Sequence, residues 1–320
     1  MTQNPIEPSA IVGPAVTYVG NGGFDVIKVA DRFVRPPAAL EVRIKVAAAA
    51  VNPTDIVLRD PGQGNVPLPM TPGMDAAGIV EAVGAGEKRL AVGDEVMAAL
   101  SPRRPEGGAQ AAYIVVPSAA VVHKPRGLTF AEAATLPMNG LTALYALELA
   151  GLAAGQTLAV SGGAGWLACL AIGLAKHRGL RTLADAKPEE VELVRGYGAD
   201  VVVERGRNFA QVVHGAVLDG VDALLDTALL GRASFPAIKD GGVYIPVRGW
   251  REGPDPRIQI KPVMVGEVLA RTDWLETLRR LAETKQLVPR VAGEYPPQQV
   301  AQAQRRMMAG GVRGRLVIVF

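Results

Sequence analysis

Residues 157–179 read TLAVSGGAGWLACLAIGLAKHRG, and no other stretch of the chain narrows the fold as far. A short apolar run leads into glycines, and an apolar-periodic segment then runs to a capping glycine, Gly179. The pattern predicts a strand, a tight turn that only small residues permit, and a helix. The pattern recurs downstream. LRTLAD (180–185) reads as a strand, and PEEVELVRGYG (188–198) as a helix with proline in its first turn, acids near its start and Gly198 at its end. VVVE, FAQVVHGAVLDG and VDALLD continue the alternation, and GGVYIPV (241–247) and KPVMVGEV (261–268) read as further strands. Alternating βα units predict a parallel sheet covered by helices on both faces.

The first 125 residues follow another grammar. EVRIKV (41–46), AAGIVEAVGAG (76–86), VGDEVMAAL (92–100) and AAYIVVP (111–117) are short strands separated by glycine and proline turns, which suggests a barrel or sandwich. TFAEAATLPMNGLTALYALELAG (129–151) carries helical periodicity, with Thr129 and Glu132 spaced as a capping box. The tail adds an amphipathic helix, PPQQVAQAQRRMMAGG, and a closing strand, RLVIVF.

Composition removes several classes. A length of 320 residues suits about two domains, and 49% apolar content provides a large core. No apolar run approaches the roughly 18 residues a membrane span needs. The N-terminus lacks a charged segment followed by an apolar one, so secretion is not expected. Cys169 is the single cysteine, which rules out an internal disulfide and fits a cytoplasmic setting. The net charge of +3 is scattered over short arginine pairs, so nucleic acid is not an expected partner.

The turn itself points to chemistry. Gly163, Gly165 and Ala168 form G-x-G-x-x-A, extended by Gly162, and Asp185 lies twenty residues after Gly165 at the end of the next strand. In that context main-chain N–H groups at a helix start take a diphosphate, and the acid accepts hydrogen bonds from a ribose diol. A turn serving only helix–strand packing is the alternative. Trp166 occupies a variable position of the motif. Its indole can pack on a neighbouring domain, line the cofactor cleft or narrow it. Asp185 would repel a 2′-phosphate, whereas Lys187 could pair with one or simply be solvated at the start of the helix, so residue chemistry leaves NAD and NADP open. Arg181 and Arg205 are further basic candidates for which a surface role is the alternative.

Together AAAAVNPTDIVLRD, PMTPGMDAAGIVEAVGAG, VGDEVMAAL, GGAQAAYIVVP, AATLPMNGLTALYAL, SGGAGWLACLAIGLAKHRG and YGADVVVERG resemble the zinc-independent medium-chain dehydrogenase/reductase superfamily, of the quinone oxidoreductase (zeta-crystallin-like) type. The resemblance covers almost the whole chain. It implies a Rossmann doubly wound parallel sheet (127–265) inserted into a GroES-like β-barrel domain (1–126 and 266–320). It implies hydride transfer from NADPH, or NADH, to a quinone or an α,β-unsaturated carbonyl. It also implies a homodimer, in which KPVMVGEV pairs across the interface, although its apolar face equally suits a buried edge within one subunit.

By the same resemblance the turn residues Gly162, Gly163, Ala164, Gly165, Trp166 and Leu167 hold the pyrophosphate. Thr142, Asn52 and Asp55, and the loop residues Val247, Arg248 and Gly249, lie near the nicotinamide. Each has a structural alternative: Asn52 before Pro53 forms a turn, Asp55 caps a helix, and Thr142 bonds a carbonyl in its own helix. The acceptor pocket is expected from loops 58–70, 100–108 and 248–260.

The departures also matter. His123, His177, His214 and Cys169 are too scattered for a zinc ligand set. No tyrosine follows VNPTD as a proton donor, and core packing is the expectation for Tyr113 and Tyr145. That absence favours quinones or activated enones, whose reduced oxygen water can protonate, with Arg248 or a backbone N–H stabilising developing charge. Trp166 and the missing tyrosine motivate the competing readings. These are a non-redox cyclase or lyase, or a binding protein on this scaffold with a narrowed or lost cofactor site. A regulatory or structural oligomer is the third.

Overall fold

The computed structural model describes residues 9–60, 67–206 and 208–320. Part of the expected acceptor loop 58–70, residues 61–66, lies outside them. The chain divides into two compact units. One runs up to Met138 and takes in Leu269–Thr284 and Val288–Phe320; the other comprises Asn139–Val268 and Lys285–Leu287.

The first unit opens with an antiparallel pair, β1 (Ile11–Tyr18) and β2 (Ile27–Val34), which form a two-stranded sheet. There follow β3 (Glu41–Val51), α1 (Pro53–Arg59), β4 (Asp75–Val83), β5 (Glu95–Ala99), β6 (Tyr113–Pro117) and β7 (Val121–His123). Their inward residues, among them Ile44, Val80, Val96, Ile114 and Val121, are almost fully buried and form one core.

The helix expected over 129–151 is two helices, α2 (Phe130–Ala133) and α3 (Pro137–Ala150). Pro137 is the reason. It has no N–H to bond backward and its ring collides with the preceding turn, but it fits the first helical position. The capping box at Thr129 is formed, with Glu132 N donating to Thr129 Oγ1 at 3.1 Å and Thr129 N donating to Glu132 Oε2 at 2.8 Å.

The second unit alternates: β8 (Thr157–Ser161), α4 (Trp166–His177), β9 (Arg181–Ala186), α5 (Val191–Gly196), β10 (Val201–Glu204), α6 (Phe209–Ala216), β11 (Val221–Asp226), β12 (Ile238–Pro246) and β13 (Gln259–Ile260). The strands form one sheet in the order β10-β9-β8-β11-β12-β13, and every pair is parallel. That is the doubly wound order, in which the chain reverses direction between β8 and β11. All five residues of β8 are buried, as a central strand covered on both faces requires.

One expected strand is absent: KPVMVGEV (261–268) contains none. Lys261 N and Val263 N still donate to Tyr244 O and Pro246 O at 2.9 and 3.1 Å, but Pro262 between them has no donor. The chain then bends into a 3₁₀ turn at Val265–Glu267, so the sheet ends at the two residues of β13.

The tail returns to the first unit as α7 (Thr272–Glu283), β14 (Val291–Tyr295), α8 (Val300–Met308) and β15 (Arg315–Val319). β15 pairs antiparallel with β3, Leu316 opposite Val51, and so completes a seven-stranded sheet. Only α8 of these two helices is expected from the sequence. Yet α7 buries Trp274, Leu275, Leu278, Leu281 and Ala282, a helical spacing legible in TDWLETLRRLAE. Among the described residues no helix is long and apolar enough to cross a membrane.

Candidate functional site

The glycines of the 162–165 turn serve separate purposes. Gly162 sits at φ +71°, and a Cβ there would lie 3.0 Å from Thr227 Oγ1 and 3.3 Å from Arg205 Nη2. Gly163 lets the turn lie flat on β9: a Cβ would come within 2.7 Å of Asp185 O and 2.8 Å of the Ala184 Cβ. Instead its N–H donates to Asp185 O at 3.0 Å. Gly165 is the N-cap of α4 in extended conformation, and its carbonyl accepts the Cys169 N–H at 2.9 Å. Behind it, the Cys169 thiol donates to Gly163 O at 3.4 Å.

The first turn of α4 contains no acid, while Lys176 and His177 occupy its last turn. A helix start leaves N–H groups without intrahelical partners and carries the positive end of the dipole. With no side-chain carboxylate competing, the Leu167 and Ala168 amides form the kind of terminus that binds an anion.

Trp166 is 2% exposed, and its ring meets Tyr197 edge-on, with centroids 6.3 Å apart and planes at 76°. Tyr197 follows α5 directly. The indole therefore packs against the neighbouring helix of its own unit. Ala164 is buried in the turn itself.

Asp185, at the end of β9, is 5% exposed. Its Oδ1 accepts the Gly162 N–H, and its Oδ2 accepts Arg205 Nε at 2.9 Å. Lys187, two residues on, is exposed.

Between the ends of β8 and β11 lies a buried polar network that the sequence reading did not anticipate. Ser161 Oγ donates to Asp226 Oδ1 at 2.6 Å, and Tyr244 OH donates to Oδ2 at 2.7 Å. Gly231 N adds a bond to Oδ2 at 2.9 Å, and Ala228 N donates to Ser161 Oγ at 3.0 Å. Burial and then the bonded Asp226 carboxylate push the Tyr244 phenol well above its ordinary value. The available signal was an acid closing an apolar strand, VDALLD, at the point where strand order reverses.

After β12 come Val247, Arg248 and Gly249. Arg248 is exposed, and Gly249 sits at φ +72°. Trp250 pins this loop. Its Nε1 donates to Gly253 O at 2.6 Å, and its ring lies 5.3 Å from Tyr244 and 5.7 Å from Phe235. Thr142 lies within α3 and is 6% exposed. Tyr145, on the same helix, donates to Glu267 Oε2, which raises its phenol value.

In the first unit Asn52 and Asp55 come together in a second polar cluster. Asn52 is fully buried at the N-cap of α1, and its Nδ2 donates to Asp75 Oδ2 at 2.7 Å. Asp55 accepts Asn52 N at 2.8 Å, Gly73 N at 3.0 Å and Gln110 Nε2 at 3.0 Å. Asp75 also accepts the Met138 N–H. Burial pushes the Asp55 carboxyl up to about 7 and that of Asp75 to about 6, against backbone donors that pull both down. Burial lowers Arg315, beside both, to about 10. These bonds give Asp55 the capping part and place its carboxylate in the bracing of the loop at Gly73.

His123 bonds Asp94 at 3.2 Å and His177 bonds Gln286 at 3.2 Å. Among the described residues no group of three His, Cys, Asp or Glu is placed to hold a metal ion.

The alcohol dehydrogenase GroES-like domain model matches residues 38–126, and the zinc-binding dehydrogenase model matches residues 197–318. The chain is 33% identical to the NADPH-dependent alkenal/one oxidoreductase of Arabidopsis thaliana chloroplasts, over 95% of this chain and 78% of that protein. Its backbone superposes with a TM-score of 0.82 on the quinone oxidoreductase from Coxiella burnetii, at 25% identity over 97% of this chain and all 100% of that one. A mycobacterial protein solved in complex with NADPH superposes with a TM-score of 0.83, also at 25% identity, over 96% of this chain and 100% of the other. The doubly wound order, the glycine turn and these likenesses agree: the chain belongs to the medium-chain dehydrogenase/reductase superfamily, among its quinone and alkenal oxidoreductases.

Proposed function

We propose that the protein is an NADPH-dependent reductase that delivers hydride to a quinone or an α,β-unsaturated carbonyl compound. The observation that carries this is the mouth of β8: a glycine turn, a helix start without an acid, and an indole turned onto Tyr197. When bound, NADPH supplies the hydride from its nicotinamide ring. The amides at the start of α4 take the diphosphate, and the dipole adds to their pull. The Ser161–Asp226–Tyr244 network holds the ends of β8 and β11 so that this mouth is preorganised. Arg248, exposed and with no hydrogen bond or ion pair among the described residues, stabilises negative charge on the acceptor oxygen.

The Tyr145 hydroxyl is engaged by Glu267, and we assign the proton to water. That suits a quinone or activated enone, whose reduced oxygen is already stabilised. Asn52, oriented by Asp75, is the first unit's candidate positioning residue. We assign the protein to the cytoplasm, on its single cysteine, and to a homodimer, for which the open edge at β13 supplies a pairing strand. Sedimentation at micromolar concentration tests the dimer.

Gly165→Asp tests the reading. Aspartate is a favoured N-cap, so its carboxylate bonds the α4 amides that a diphosphate would use. The variant folds, and NADPH binding, followed by nicotinamide fluorescence, is lost. Saturable binding as tight as in the unaltered protein refutes the assignment, as does failure of the unaltered protein to bind NADPH.

A further inference from the structure

We propose that Arg205 selects NADPH over NADH, by neutralising Asp185 and offering its outer Nη2 edge to the 2′-phosphate. The proposal rests on the reading above that the turn binds a dinucleotide.

Asp185 stands where a ribose-reading acid is expected, and a lone carboxylate there repels a 2′-phosphate. Here it is not alone. One oxygen accepts the Gly162 N–H and the other accepts Arg205 Nε at 2.9 Å. The acid is consumed in holding the turn against β9, and its charge is paired.

Arg205 has capacity left. Its Nη1 lies 3.9 Å from Glu190 Oε2, and its Nη2 has no hydrogen bond among the described residues. A Cβ built on Gly162 would stand 3.3 Å from Nη2, so the guanidinium overhangs the turn. Exposure orders the group: the Asp185 and Glu190 side chains are 6% and 7% exposed, that of Arg205 is 30% exposed, and Lys187 is exposed. The acids face inward and the cations outward. A dianionic phosphate arriving from solvent meets the cations first.

The planar guanidinium suits this double duty. Its Nε can keep the carboxylate while an Nη bonds a phosphate oxygen, which a lysine cannot do with the same geometry.

The test is equilibrium binding. Dissociation constants of NADPH and NADH are measured by nicotinamide fluorescence, and those of adenosine 2′,5′-bisphosphate and 5′-AMP by calorimetry. They are taken for the unaltered protein, Arg205→Leu and Arg205→Lys. Loss of one charge-assisted bond is expected to weaken NADPH and the bisphosphate roughly 10- to 100-fold in Arg205→Leu. NADH and 5′-AMP change less than about threefold, and Arg205→Lys recovers part of the loss. Equal weakening of both coenzymes in Arg205→Leu means a clamp on the turn alone and overturns the selection, while the dinucleotide reading stands. Failure of the unaltered protein to bind either coenzyme overturns both.

A salt series on the unaltered protein needs no variant to fold. The NADPH preference shrinks as ionic strength rises. A preference indifferent to salt overturns the proposal.

Discussion

Replacing Trp166 by alanine separates two fates for the indole inside the glycine turn. At 2% exposure the ring is core, and its neighbour Tyr197 lies edge-on at 6.3 Å. Removing a buried tryptophan side chain costs about 3–5 kcal/mol, which includes the cavity left behind. About 0.5–1.5 kcal/mol of that belongs to the aromatic pair. Alanine at the first position of α4 costs the helix nothing in propensity. The backbone N–H groups of the turn remain, so NADPH affinity should hold within about threefold. The assay pairs urea unfolding followed by far-ultraviolet circular dichroism with NADPH titration. If the indole instead occupied the diphosphate's place, the variant would keep its stability and bind NADPH more tightly. That outcome would refute the packing argument.

Two more outcomes follow from the buried polar clusters. Asp55 and Asp75 have ordinary values of 3.8 raised to about 7 and about 6 in the fold. The folded state therefore holds these protons more tightly than the unfolded chain. The stability they contribute is full below about pH 4 and is lost as pH rises through about 6 to 7. The unfolding free energy of the unaltered protein, less that of Asp55→Asn, should fall across this range, and a flat difference would contradict the burial argument. Tyr244→Phe removes the donor to Asp226 Oδ2 and should cost about 1–3 kcal/mol in chemical denaturation. No loss would mean that Gly231 N and Ser161 satisfy the carboxylate on their own.

Local chemistry made much of the architecture legible. Alternating apolar and polar runs, capping residues and the G-x-G-x-x-A turn predicted the βα units, and the parallel sheet follows them strand by strand up to β12. The capping box at Thr129 formed because it needs only residues three apart. The differences have local causes. Pro137 splits one helix into two, Pro262 stops a strand, and the apolar spacing of TDWLETLRRLAE makes α7 a helix.

What the chain order could not convey is which side chains meet from distant positions. Asp185 is chemically able to read a ribose diol, and the sequence alone leaves it free to do so. Only folding brings Arg205, twenty residues away, against its carboxylate. Ser161 and Asp226 lie 65 residues apart and join because β8 and β11 are neighbours in the sheet. Asn52 and Asp75 meet, 23 residues apart, through the pairing of β3 with β4. The direction of the Trp166 ring is likewise a matter of which groove between helices has room for it. Periodicity and turn residues act over a few positions, and so they specify elements. Burial and charge pairing act through space, and so the chemistry of the site is decided only when the elements pack.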